Sequence, residues 1–572
     1  MTEIAADPAA EARVANLRLA DALLAVLVGA IAFFVIVGPK VLDVGNIAWL
    51  AEGDDSFQHY LGWEFFRLSE WTWPPGLNPD FGLQFSSSII FSDSVPLLAL
   101  PLKLLSPILP AVFQYTGWWV LVCFLLQAYF AVRIAGLFTN DVLVKFALVL
   151  LLTFAPPMLW RLSVHYSLVA QWVVLASIYL YWARPGRLRW LHWLVLLSAT
   201  VLIHTYLFAM CVPIWLASLI RRRIIDGPTS PHWLLQIIMV FASAGALLWL
   251  GGFFPLRDSM LGWGYGVYRL NFLSMINPDG GQTTDHWSWS SLLPNIPHGP
   301  GDYEGFAYAG VGGLLLIILA LPLVWTERRT YRGKIVWPLI LVCVLLTLFA
   351  LSPNLMIADR QIRISVPDAF MALAGSMRSS GRFFWPVYYL LPLAAAWLLC
   401  RSFGRRVAGP LLLVLVVLQI YDTYPGWSSL RSRFDIVGSH YPTSIDDQRL
   451  AAVASHYRIV RMLPATNQAP NWKQVAYFAL LNHLPSDATY LARPNDGGYA
   501  AYMSGIDATI AQHALASGSL YFLDHYYGWK VAGHLTADDA MFKVGDFYVF
   551  APGWKRLGGS TTLSQSQPWG PM

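Results

Sequence analysis

The chain has 572 residues, 56% of them hydrophobic and only 12% charged, with a mean hydropathy of +0.50; this excludes a string of ordinary soluble domains and names a lipid bilayer as the solvent for much of it. The formal net charge of +5 gives no nucleic-acid reading, because the arginines stand in short clusters between apolar runs, a pattern of loop topology. Cys123, Cys211, Cys343 and Cys400 all fall inside apolar stretches, which excludes a disulfide framework and a cysteine-based metal site.

In chain order, Glu3, Asp7 and Glu11 mix with Arg13 and Arg18, and no small-residue cleavage pattern follows the first apolar run, so an uncleaved first span is expected over residues 19–41. Further runs long enough, or nearly so, to cross hydrocarbon occupy 117–136, 143–160, 166–183, 233–254, 306–326, 335–352, 383–400 and 407–424. The stretch from Trp190 to Leu219 has basic clusters on both sides (Arg184, Arg187 and Arg189; Arg221, Arg222 and Arg223). A single crossing would strand one cluster outside, so two short helices are expected, broken near His204, Thr205 and Tyr206. The total is roughly eleven crossings.

That assignment places Arg133, Lys145, both clusters just named, Arg328, Arg329, Arg332 and Lys334, and Arg401, Arg405 and Arg406 in the cytoplasm, together with the amino terminus. The stretch from Ile89 to Pro110 carries Asp93, Lys103 and several prolines and is read as interfacial, since counting it as a crossing would invert every later loop. The expected architecture is a mainly α-helical polytopic membrane domain over 1–424, with external loops at 42–116, 255–305 and 353–382. An extracytoplasmic α/β domain follows over 425–572. In that tail, Tyr457–Leu463, Leu520–Asp524 and Asp546–Phe550 read as strands and Lys473–His483 as an amphipathic helix, while Asp496, Gly497 and Gly498 read as a turn.

Polar chemistry collects in the external loops. The first holds GDDSFQHY, with Asp54 and Asp55 ahead of Gln58, His59, Trp63 and Glu64. If a helix starts at Ser56, Asp55 and His59 share a face and Asp54 caps the helix start. The structural reading is a cap plus a surface carboxylate beside an aromatic belt. The functional one is a carboxylate base, partly stripped of water, that takes a proton from a hydroxyl, with His59 orienting or sharing it. The loop at 353–382 carries Arg360, Arg363, Arg378 and Arg382 against the usual charge bias, and Arg378 and Arg382 in MRSSGRFFW stand where a lipid phosphate would lie; headgroup snorkelling is the alternative. His165 in WRLSVHYS, His204 at the expected break and Glu304 in DYEGFAY are further candidates for binding substrate, phosphate or metal. None has a recognised ligand spacing. No Walker A sequence, GxSxG or strand-borne glycine fingerprint is present.

The first span, the acidic loop after it, the paired short helices and the external α/β tail together resemble the GT-C type of membrane glycosyltransferase, and GDDSFQHYLGWEFFR also looks like a bacterial membrane-protein family within or near that superfamily. The resemblance implies inverting transfer of a sugar from a polyprenyl-phosphate donor to a hydroxyl of an envelope glycan, lipid or protein at the outer face of a bacterial inner membrane. It implies Asp54 as base, with Asp55 the close alternative. The WWDYG signature of oligosaccharyltransferases is absent and no second DxD appears, so a metal site is unassigned and a Mg or Mn requirement stays open. A transporter or flippase of lipid-linked glycans is the rival. It needs ionisable residues at the midplane of facing helices, and the span centres here hold almost none. A non-enzymatic envelope assembly factor is a third reading.

Overall fold

In a computed structural model the described residues are 8–85, 87–183, 188–227, 232–254, 264–282, 285–327, 333–445 and 448–558. Arg184, Arg187, Arg328, Arg329 and Arg332 lie outside them, as does the side chain of Lys334. The chain is mainly helical, 59% helix, with a small sheet near its C-terminal end.

Among the described residues, five helices are long and apolar enough to cross a membrane: Leu19–Ile36, Thr116–Ala135, Val142–Ser163, Trp233–Leu250 and Ser380–Phe403. Arg405–Asp422 and Tyr424–Phe434 pass the same test only as a pair bent by 52°. Tyr166–Trp182, Arg189–Ile203, Gly310–Thr326 and Ile335–Leu351 are apolar but shorter. The expected break falls on His204: one helix ends at Ile203, the next starts at Thr205, and His204 between them is extended. Its Nδ1 accepts the Tyr206 N–H at 3.1 Å, so the side chain caps a helix start that the break has orphaned.

The chain divides into two compact units that do not follow its order. The first comprises Met1–Asp43, Tyr115–Ala244 and Leu261–Ile436; the second comprises Val44–Gln114, Gly245–Met260 and Val437–Met572. In the first, Ala135, Leu148, Leu316, Ala396, Leu412 and Val416 share one apolar core among helices around 116–135, 142–153, 310–326, 385–403 and 405–422. Small residues allow close approach. A Cβ on Gly312 would lie 2.0 Å from the Leu415 carbonyl oxygen, and at the next residue the Gly313 N–H donates to Gln419 Oε1 at 2.9 Å, a glycine contact with an interhelical polar bond as membrane helices use. The loop at 353–382 opens with an antiparallel hairpin, β1 (Asn354–Ile357) and β2 (Arg360–Arg363), which leaves Arg360 and Arg363 exposed.

The second unit holds a four-stranded sheet of β3 (Ile459–Leu463), β4 (Ser519–Leu523), β5 (Ala540–Val544) and β6 (Phe547–Ala551), in the order β3-β4-β6-β5. β3 and β4 run parallel, pairing Ile459 with Ser519, while β6 runs antiparallel to both neighbours. Every residue of β4 is buried because both faces are covered. Tyr521 and Leu523 share a core with Tyr499, Ile506 and Val531, and Phe522, one residue out of phase, meets Phe478 of the Trp472–Leu481 helix at 5.3 Å. The first loop is knitted into this unit: Gly82 donates to the Ser486 carbonyl at 2.8 Å, Ser486 donates to that of Asp80 at 2.9 Å, and Phe85 stacks on Tyr499 at 3.9 Å. Asp496–Gly498, expected as a turn, instead opens the helix Asp496–Ala511; Asn495 Oδ1 accepts the Gly498 N–H at 2.8 Å, and this cap offsets the weak helix propensity of two glycines.

Candidate functional site

In the second unit the acidic motif starts a helix two residues earlier than expected, at Asp54, and it runs to Leu68. Gly53 is the cap residue and no side chain caps it, so Asp54 is not the N-cap. Both aspartates lie in the first turn, where the helix dipole favours negative charge. Their surroundings divide them. Asp54 Oδ1 is 3.0 Å from Lys473 Nζ, and its Oδ2 accepts from Gln468 Nε2 at 2.9 Å. Asp55 is half-buried and has no hydrogen-bond or ion-pair partner among the described residues. The ammonium beside Asp54 also opposes a cation there, so the pair does not form a metal centre by itself.

His59 is buried on the same helix. Its Nδ1 lies 2.6 Å from the Asp93 carbonyl oxygen, which can only accept, so Nδ1 carries a proton; its own carbonyl accepts from Ser94 Oγ at 2.8 Å. This fixes the ring. One turn on, Glu64 and Arg67 pair at 3.1 Å with both side chains 3% exposed, and burial pushes the Glu64 carboxyl up to about 8 against the lowering pull of Arg67.

In the first unit two expected binding residues, Arg382 and His165, gather around the carboxylate of a third, Glu304. Glu304 Oε2 accepts from Arg382 Nε at 2.8 Å and from Arg161 Nη1 at 2.9 Å, while His165 Nε2 lies 4.0 Å from Oε1. Burial raises the carboxyl, but the two guanidinium groups outweigh it and hold Glu304 well below the ordinary carboxylate range. Two cations at such distances leave Glu304 no role as a metal ligand. His204 stands one step away: the ring of Tyr206, which it caps, lies 4.9 Å under the Arg382 guanidinium. Arg378 does not join the cluster. It is half-buried near Gly264, with no carboxylate partner among the described residues.

Several of these partners were not expected from sequence. Lys473 and Gln468 sit more than 400 positions from Asp54 in the chain and carry no local mark. Arg161 had one: a guanidinium between two closely spaced apolar runs, 143–160 and 166–183, needs a partner. Another cluster in the same unit is Asp279, whose Oδ2 is 2.6 Å from His286 Nδ1 and 3.7 Å from His298 Nε2.

A family model described as Domain of unknown function (DUF6311) matches residues 26–424, well over half the chain. The chain belongs to the DUF6311 family. A second model, the DUF6311 C-terminal domain, matches residues 449–552, the part of this DUF6311 protein that contains β3 to β6. No curated protein matches the sequence.

Proposed function

We propose that this DUF6311 protein is a GT-C-type membrane glycosyltransferase that moves a sugar from a polyprenyl-phosphate donor to a hydroxyl acceptor at the outer face of a bacterial inner membrane, through roughly eleven crossings. The observation that carries this reading is the unequal pair of carboxylates that opens the Asp54–Leu68 helix. Asp54 has both oxygens engaged by Lys473 and Gln468, and Asp55 has no hydrogen-bond or ion-pair partner among the described residues. The base role therefore goes to Asp55, with Asp54 a positioning residue and His59 a fixed part of the scaffold.

In the reaction the acceptor oxygen bonds to the anomeric carbon as the bond from that carbon to the phosphate oxygen breaks. Asp55 takes the acceptor proton, and the electron pair leaves on polyprenyl phosphate. A phosphate leaving group needs charge neutralisation more than protonation. Within the first unit, Arg382 is held by Glu304, and Arg378 has no carboxylate partner among the described residues.

The test is transfer of labelled sugar from polyprenyl phosphate in vesicles carrying the full chain, with Asp54→Asn and Asp55→Asn compared. Loss of transfer in Asp55→Asn is expected, and full activity in both variants sinks the base assignment. Topology is checked on Glu52→Cys, an exposed position beside the acidic motif. Labelling from the outer side is expected, and labelling only from the cytoplasmic side overturns the proposed location of the site.

A further inference from the structure

Between Pro96 and Ile108 the first loop has its polarity inverted. The nine-residue helix Pro96–Leu104 ends on a lysine that points inward and a leucine that points outward: Lys103 is 3% exposed and Leu104 is 69% exposed. Lys103 Nζ donates to Ser69 Oγ at 3.1 Å and to the Glu70 carbonyl at 3.3 Å, and it sits 4.2 Å from the Phe66 ring and 4.7 Å from that of Trp71. Burial pushes its ammonium down to about 8. Beside it Leu105 and Ile108 are exposed, Ile108 by 79%. A helix facing water would turn its lysine out and its leucines in.

The exposed apolar residues continue through Leu68, Trp71 and Trp73, and this surface is tied to the end of an apolar helix of crossing length. The Gly76 N–H donates to the Leu250 carbonyl at 2.8 Å, and a Cβ on Gly76 would lie 2.2 Å from the Gly251 backbone. Trp73 meets Trp249 edge to face at 5.0 Å. Trp249 belongs to the candidate span Trp233–Leu250, and tryptophans gather where such spans leave hydrocarbon.

From this continuity we infer that Leu68, Trp71, Trp73, Leu104, Leu105 and Ile108 form a lipid-contacting surface, with the Pro96–Leu104 helix lying in the plane of the bilayer at the boundary of headgroups and acyl chains. Nine residues are too few to cross, and the outward apolar face suits an in-plane helix. Lys103 then serves as an internal fastener, tying this helix to the end of the helix that begins with Asp54 and Asp55. The inference rests on the membrane reading and not on sugar transfer.

The experiment uses the full chain with its four cysteines replaced by alanine, reconstituted in vesicles of phosphatidylcholine and phosphatidylglycerol and nitroxide-labelled at Leu104→Cys, at Ile108→Cys or, as a water-facing reference, at Ser439→Cys. Labels at 104 and 108 are expected to collide with oxygen several-fold more often, relative to a water-soluble nickel chelate, than the label at 439. Chelate collisions equal to those at 439 would place the surface in water and overturn the inference. Exclusion of both oxygen and chelate would mean that protein, a second copy included, covers it, and overturns it equally. A lipid-exposed label in a protein without transfer activity leaves this inference standing and removes only the sugar-transfer reading.

Discussion

Arg161 binds Glu304 twice, through Nη1 to the carboxylate and through Nη2 to the backbone carbonyl, each at 2.9 Å. One guanidinium thus fixes both the charge and the main chain of the short turn Asp302–Gly305. Arg161 is itself enclosed by the rings of Trp160 at 4.4 Å and Trp385 at 5.1 Å, so it cannot turn to water if Glu304 is lost. Glu304→Ala leaves Arg161 and Arg382 buried without their shared anion, and such losses cost roughly 3–5 kcal/mol. Thermal unfolding in detergent should show that loss, and an unchanged transition would mean that the cluster is not structural.

The Asp279 cluster gives stability a two-sided dependence on pH. Burial raises the Asp279 carboxyl, but His298, His286 and the N–H groups of Gly281 and Trp287 outweigh it and leave it depressed. Its contribution is present above the ordinary carboxylate value of about 4 and is lost as pH falls through the depressed folded value. His298 is raised, chiefly by Asp279. At 3.7 Å its Nε2 is a charge neighbour of that carboxylate and too distant for a hydrogen bond. Its contribution is complete below the ordinary histidine value of about 6.5 and fades as pH rises through the raised folded value. His298→Gln should abolish the alkaline decline in unfolding temperature and keep the acid one; retention of both in the variant would refute the assignment.

What could be read in the sequence was what local periodicity encodes. The strands around Ile459–Leu463, Ser519–Leu523 and Phe547–Ala551 and the helix Trp472–Leu481 stand within a residue or two of their expected places, because alternation and helical spacing depend on neighbours in the chain. The break at His204 was legible from charge, since basic clusters on both sides of one apolar run leave few topologies. β5 escaped, and so did the helical start at Asp496, where two glycines imitate a turn and one asparagine side chain decides otherwise. At the candidate site the residue types were visible and their partners were not: Lys473 and Gln468 reach Asp54, and Arg161 reaches Glu304, across separations that no spacing records.

Gly312 tests the close approach of two apolar helices. With the Leu415 carbonyl oxygen 2.0 Å from where a Cβ would stand, the neighbour in the way is backbone, which cannot turn aside as a side chain can. Gly312→Val should therefore destabilise by roughly 1–3 kcal/mol, the usual range for overpacking, and should weaken the bond from Gly313 to Gln419 with it. Gly245, where an added Cβ would meet no atom of the described residues within 4 Å, is the control. Equal unfolding temperatures for Gly312→Val and Gly245→Val would show that the helices separate at no cost.

The unequal aspartates make the sharpest functional prediction. If Asp55 accepts the proton, Asp55→Asn loses the whole contribution of general base catalysis, roughly 10²–10⁴-fold in transfer rate, while the fold is kept because Asp55 has no partner to abandon among the described residues. Asp54 is 41% exposed and Lys473 is 21% exposed, so their ion pair is largely solvated and contributes at most about 1 kcal/mol. Asp54→Asn should then unfold near the temperature of the unmodified protein and transfer sugar at a rate reduced by less than that of Asp55→Asn. Lys473→Met should resemble Asp54→Asn, since both break the same contact from opposite ends. If instead Asp54→Asn is the inactive variant and Lys473→Met is not, the base is Asp54, and Lys473 only screens it between turnovers.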